Sequence, residues 1–168
     1  MKKTIDRTPA PTYSPSVEDL FDRYHTMVYR LAFVRIKSTS DADDILQEVF
    51  IRYLRFSPVF RDEEHCKAWL LRTTLNCTNS FLGSAWMRRT APLDETLPTE
   101  LQEPDSVYPH VMRLPQKYRT VIHLYYYEGY TTAEIAQLLR QKESTVRSHL
   151  HRARAILREN LKGAYEDV

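Results

Sequence analysis

YTTAEIAQLLRQKESTVRSHLHRARAILRENL, residues 130–161, reads as two helices joined by a tight turn, the second helix basic. In 132–139 the apolar residues Ala133, Ile135, Ala136, Leu138 and Leu139 make a helical stripe. Small residues stand there where another helix must come close. A polar break at 140–143 follows, and the next helix opens on Ser144 and Thr145. Val146, Leu150, Ala153, Ile156, Leu157 and Leu161 line its buried side, while Arg147, Ser148, His151, Arg152, Arg154 and Arg158 line the opposite one. A buried stripe opposed by a basic stripe after a short turn suits a helix laid in the DNA major groove. The alternative is an ordinary helix pair with a solvated charged face.

Working outward, the chain has 168 residues, enough for one ordinary domain or two small ones. Only 3 Gly occur, and long stretches repeat with helical rather than alternating period, so an all-α protein is expected. The net charge of +2 says little, but its distribution is uneven. Residues 90–112 carry Asp94, Glu95, Glu100, Glu103 and Asp105 and no Lys or Arg, whereas 144–162 carry five basic residues against Glu159. Basic charge therefore gathers on the candidate groove-reading helix.

The start has Pro and polar residues where a secretory leader has an apolar run, and no apolar run approaches membrane-spanning length. A cytoplasmic protein with reduced cysteines is expected. Cys66 and Cys77 fall on one predicted helix, roughly 16 Å apart along its axis, too far for a disulfide or a shared metal ion. They read as small buried residues. His149 and His151 face different ways, and the chain has no phosphate-cradling Gly loop or nucleophile elbow. No metal, cofactor or catalytic residue is expected.

The rest of the chain parses into helices and two low-structure segments. Residues 1–15, with three prolines, read as a disordered tail. A first helix over 16–37 carries a core stripe of Val17, Leu20, Phe21, Tyr24, Val28, Leu31 and Ala32. A second starts at Ser40 with acids in its first turn and runs to about Arg55. Its face bearing Asp44, Gln47, Glu48 and Ile51 is either a docking surface or a solvated one. After a loop containing Pro58, Phe60 and Arg61, a third helix spans 63–89. Its surface bears Lys67, Arg72, Asn76, Asn79, Trp86, Arg88 and Arg89, a cation, amide and aromatic mixture that suits single-stranded nucleic acid. Trp69 reads as core, and Arg88 and Arg89 read equally well as partners of a helix C-terminal dipole. Residues 91–109 hold four prolines and the five acids named above, with few apolar residues, and read as a linker. A short helix near 110–114 is followed by another from Pro115 to Tyr127, closed by Glu128 and Gly129.

Four blocks in this order resemble the small extracytoplasmic-function (ECF) type of alternative sigma factor, of the sigma-70 family of bacterial RNA polymerase. They are DADDILQEVF at 41–50; KAWLL at 67–71 with Asn76; LPQKYR at 114–119 with LYY at 124–126 and Glu128-Gly129; and EIA at 134–136 with STVRS at 144–148 and HRAR at 151–154. The resemblance covers about 17–161. It implies two small helical domains joined by the acidic Pro-containing linker. A region 2-like domain at 16–90 would bind core polymerase and melt the −10 element. A region 4-like helix-turn-helix domain at 110–163 would bind the −35 element. The expected partners are core RNA polymerase, through its clamp helices and flap, promoter DNA, and for many relatives an anti-sigma factor.

Carried over by position, Asp44, Gln47 and Glu48 would contact polymerase. Phe60 and Arg61 would line the pocket for a flipped −10 base, with Asn76, Asn79, Arg88 and Arg89 along the melted strand. Ser144, Thr145, Arg147, Ser148, His151 and Arg152 would face the −35 duplex. The acidic linker would thread the polymerase channels, or serve as a solvated spacer. A stand-alone helix-turn-helix regulator remains the alternative, but it leaves the blocks at 41–55 and 67–89 without a role. The chain departs from the family pattern at Arg140, where the turn usually has Gly, at Gln141, where it has an apolar residue, and at Ser80 and Gly83, where Asp and Arg are frequent.

Overall fold

The computed structural model describes residues 12–85 and 107–166, which form helices α1 (Val17–Ile36), α2 (Thr39–Phe56), α3 (Glu63–Ala85), α4 (Tyr108–Met112), α5 (Gln116–Ile122), α6 (Thr132–Leu139) and α7 (Glu143–Glu166). A π-helical turn, His123–Tyr127, continues α5. Extended pairing among the described residues is limited to one antiparallel bridge, Tyr13 with Phe60. The all-α expectation therefore holds.

The first three helices enclose one core, built from Leu20, Tyr24, Val28 and Phe33 of α1, Ile45, Val49 and Tyr53 of α2, and Cys66 and Leu70 of α3. Phe21, expected in this core, is 41% exposed. A second core gathers Val111, Leu114, Val121, Leu124, Ile135, Val146, Leu150 and Ala153 from the last four helices. The halves are packed together. Leu31, Leu71 and Leu75 belong to the second core, and Tyr108 and Met112 of α4 belong to the first.

Polar cross-links reinforce this contact. Buried Arg119 of α5 donates to the carbonyls of Val34 (2.7 Å), Arg35 (3.3 Å) and Leu114 (2.7 Å). Buried Arg35 of α1 donates to the hydroxyls of Thr78 (2.7 Å) and Thr120 (3.0 Å) and to Asn79 Oδ1. Burial pushes both guanidinium groups down to about 10, still charged at neutral pH.

Helix ends differ in detail from the sequence reading. Ser38, rather than Ser40, caps α2, its Oγ accepting from the Asp41 amide at 3.3 Å. The full capping box lies at α6, where Thr131 and Glu134 satisfy each other's amides. Residues 12–15, read as part of a tail, lie along the first core. Tyr13 pairs with Phe60 through two backbone bonds of 2.8 and 2.9 Å, and the Tyr53 hydroxyl donates to the Pro15 carbonyl. The helix expected to run from Pro115 through Tyr127 widens at His123, where the Glu128 amide reaches back five residues to the His123 carbonyl. The extra residue lets Tyr127 stack on buried His123. Gly129 then takes φ 73, a left-handed conformation that glycine adopts without strain.

Cys66 and Cys77 are free and buried. Burial, with Glu63 a lesser cause, pushes the Cys66 thiol up to about 11. Because the thiolate is the reactive form, disulfide-exchange labelling at pH 8 should stay slow for both until denaturant unfolds the chain. A burst of labelling in native buffer would show that α3 opens locally.

Candidate nucleic-acid interface

The turn between α6 and α7 ends in a two-bond C-cap. The Arg140 amide donates to the Gln137 carbonyl (3.3 Å) and the Gln141 amide to the Ala136 carbonyl (3.0 Å). This Schellman arrangement needs a left-handed residue, and Arg140 supplies it at φ 54, ψ 45. The turn therefore keeps the geometry that glycine usually provides, with an arginine bearing the strain of roughly 1 kcal/mol.

That cap sets the direction of α7. Val146, Leu150 and Ala153 are fully buried against α5 and α6, so the opposite side of α7 faces solvent. Ser144, Arg147, Ser148, His151 and Arg152 are all exposed there and line one shallow depression; Thr145 is half-buried at its edge. Arg147 pairs with Glu143 at 3.1 Å, and Glu143 also accepts from Thr132 Oγ1 at 2.8 Å. One neighbour went unrecognised in the sequence. Tyr118 of α5 lies beside Arg152, whose guanidinium holds the hydroxyl below the ordinary range. It also meets His149 edge-on at 5.6 Å. Arg154, by contrast, is committed to aromatic partners. Its Nε donates to the Tyr126 hydroxyl at 2.7 Å, and its guanidinium lies over Tyr125 and Tyr126.

The loop before α3 turns Phe60 inward. Only 2% exposed, its ring packs among Tyr53, His65 and Trp69. The Tyr13 strap fixes the backbone that points it there, a pairing that composition alone does not reveal. Arg61 is the exposed residue of the pair. It lines a cleft of about 370 Å³ with His65, Trp69 and Arg72, and Tyr130, Glu134 and Gln137 form the opposite wall. Asn76 and Asn79 lie further along α3, exposed, in a second cleft beside Leu138 and Arg140. Arg88 and Arg89 lie outside the described residues.

On α2, Asp44 and Gln47 are exposed and Glu48 is tied to Arg52 at 2.7 Å. Ile51 and Leu54 are 46% and 58% exposed beside them, so this face presents acids and amides next to uncovered apolar surface. An apolar groove of about 740 Å³ between α4, the π turn and α7 was also missed. Val111, Ile122, Tyr127 and Leu157 form its floor, and Arg154, Arg158 and Lys162 rim it. The described residues contain no group of three or more metal-ligating side chains and no helix long and apolar enough to cross a membrane.

Among the described residues, the exposed row on the second helix of the helix-turn-helix and the cationic, aromatic-lined cleft where the halves meet give two candidate nucleic-acid faces, as a DNA-binding protein would use. The comparisons make the class specific. The sigma-70 region 2 family matches residues 20–88, and the sigma-70 region 4 family matches 111–157. The chain is 32% identical over 145 residues to the ECF RNA polymerase sigma factor SigM of Mycobacterium tuberculosis (strain H37Rv), covering 83% of this chain and 74% of that one. It is 28% identical over 165 residues to the ECF RNA polymerase sigma factor SigX of Bacillus subtilis (strain 168), covering 89% and 85%.

Among solved structures, the fold is similar to the sigma factor RpoE of Bartonella quintana in complex with the anti-sigma factor NepR. The TM-score is 0.69 at 19% identity, covering 86% of this chain and 96% of that one. It is also similar to CnrH in complex with the cytosolic domain of CnrY, with a TM-score of 0.60 at 22% identity, covering 88% of each chain. The chain belongs to the ECF sigma factors of bacterial RNA polymerase, and its function is promoter-directed transcription initiation with that enzyme.

Proposed function

We propose that this sigma factor divides its work among three surfaces. The α2 face of Asp44, Gln47 and Glu48, with Ile51 and Leu54, docks on the polymerase clamp helices. Arg61, with Asn76 and Asn79, holds the melted −10 strand, and Arg88 and Arg89 contact the same strand. Phe60 supports the loop from inside the core. Ser144, Thr145, Arg147, Ser148, His151 and Arg152 read the −35 duplex. The observation that carries this reading is the outward row on α7, exposed along the helix that follows a Schellman-capped turn.

The apolar groove between α4 and α7 suits the flap of polymerase, an apolar partner element. The role is binding rather than catalysis, in the cytoplasm where polymerase works. RpoE is similar in fold and was solved with an anti-sigma factor, which supports a partner of that kind here. Leu138 and Arg140 wall the cleft that holds Asn76 and Asn79, so engaging a melted strand requires the two halves to part.

Run-off transcription with purified core polymerase tests the reading directly, because a stand-alone regulator gives no transcript. The Asp44→Ala, Gln47→Ala double variant should bind core polymerase at least tenfold more weakly in pull-down, with unchanged affinity for a −35 duplex. Equal recovery of core enzyme would remove α2 from the interface.

A further inference from the structure

We propose that the cleft between α3, the start of α5 and the α6–α7 turn is a binding site for a free phosphate-bearing anion. It has a volume of about 290 Å³ and is lined by the cations Arg35, Lys117 and Arg140 and the amides Asn76, Asn79 and Gln116. None of the described residues lining it is acidic.

Three features favour an anion there: a buried cation with no counter-charge, one unmet donor, and a further cation on the wall. Arg35 is 8% exposed, and its side-chain donors reach only neutral oxygens, on Thr78, Thr120 and Asn79. A buried cation without a counter-charge is unfavourable unless an anion joins it. Gln116 Nε2 is buried with no hydrogen-bond partner, although such groups are nearly always satisfied. Arg140, at a helix C-cap that glycine would hold without strain, brings a third cation to the wall.

Phosphate suits the donors better than a single carboxylate does. It offers three or more acceptor oxygens to groups arriving from three walls, and guanidinium forks match it in pairs. The volume equals roughly ten waters, room for a mono- or diphosphate group and not for a duplex. Because the walls come from both halves of the chain, the anion binds only while they are packed together. By linkage it stabilises that arrangement and opposes use of Asn76 and Asn79 by a melted strand. A backbone phosphate of single-stranded DNA is the other source of the same chemistry.

The test uses full-length protein, inorganic pyrophosphate and sodium chloride balanced to equal ionic strength. Saturating pyrophosphate should raise the melting temperature by about 5 °C. Calorimetric titration should show at least tenfold weaker binding for Arg140→Gly and for Lys117→Gln. Arg140→Gly should itself melt a few degrees above wild type without anion, since its backbone strain is relieved, which separates lost binding from lost folding. A rise no larger than the chloride control gives would overturn the site, as would equal binding by both variants. Binding of a short single-stranded oligonucleotide without binding of pyrophosphate would also overturn it in favour of a DNA phosphate. None of these readouts involves polymerase, so their failure leaves the transcription role untouched.

Discussion

Arg119→Met should destabilise the protein by about 3 kcal/mol in urea or thermal unfolding. Methionine replaces most of the apolar stem but none of the donors. The carbonyls of Val34, Arg35 and Leu114 then lose the group that satisfies them, inside a region where Arg119 is only 7% exposed. An acceptor stranded in this way costs about 1–3 kcal/mol. Removing the buried cation returns part of that, because its own desolvation disappears. The acceptors win because they are three, while the charge is one. Arg119→Lys should fall between, since one ammonium cannot span carbonyls on α1 and at the start of α5. A loss below 1 kcal/mol for the methionine variant would mean that water replaces the guanidinium and that the halves are loosely joined.

That residue also marks where the sequence was legible and where it was not. The helices were readable because each stripe, such as Leu20, Tyr24, Val28 and Leu31, follows the helical period and faces a core. The exposed row on α7 followed from the same period read on the opposite side. The left-handed backbone at Arg140 was visible through the resemblance, because the turn it belongs to needs that conformation whatever its residue. Lys37 and Ser57 end α1 and α2 in the same conformation, and nothing local announced it. Contacts distant in sequence stayed hidden. Arg35 and Arg119 look like surface cations in any window, and only the packing of α5 against α1 buries them. Phe60 looks like an available loop aromatic until Tyr13, far away in the chain, pairs with its backbone. The wide turn at His123 depends on where the tyrosines must land, a question settled by α4 and α7 rather than by local propensity.

The Arg147→Ala, Arg152→Ala double variant should bind a −35 duplex roughly 100-fold more weakly, with the slope of log affinity against log salt reduced by about 2. Each arginine is exposed on the row that faces away from the core, and a well-placed arginine on a guanine edge or phosphate is worth about 1–3 kcal/mol. The two should not contribute equally. Arg147 must leave Glu143, a pair at 3.1 Å with both partners largely exposed, which offers little resistance. Arg152 lies beside the Tyr118 hydroxyl of α5 and has no acidic partner among the described residues to leave before it meets the groove. Arg152→Ala alone should therefore account for the larger share of the lost affinity. Tyr118→Phe, which removes only the hydroxyl, should weaken binding a few-fold while leaving the salt slope unchanged, because no charge has gone. Fluorescence anisotropy at several salt concentrations reads all of these. Equal slopes for wild type and the double variant would take both side chains out of the interface and move the duplex contact to another face of α7.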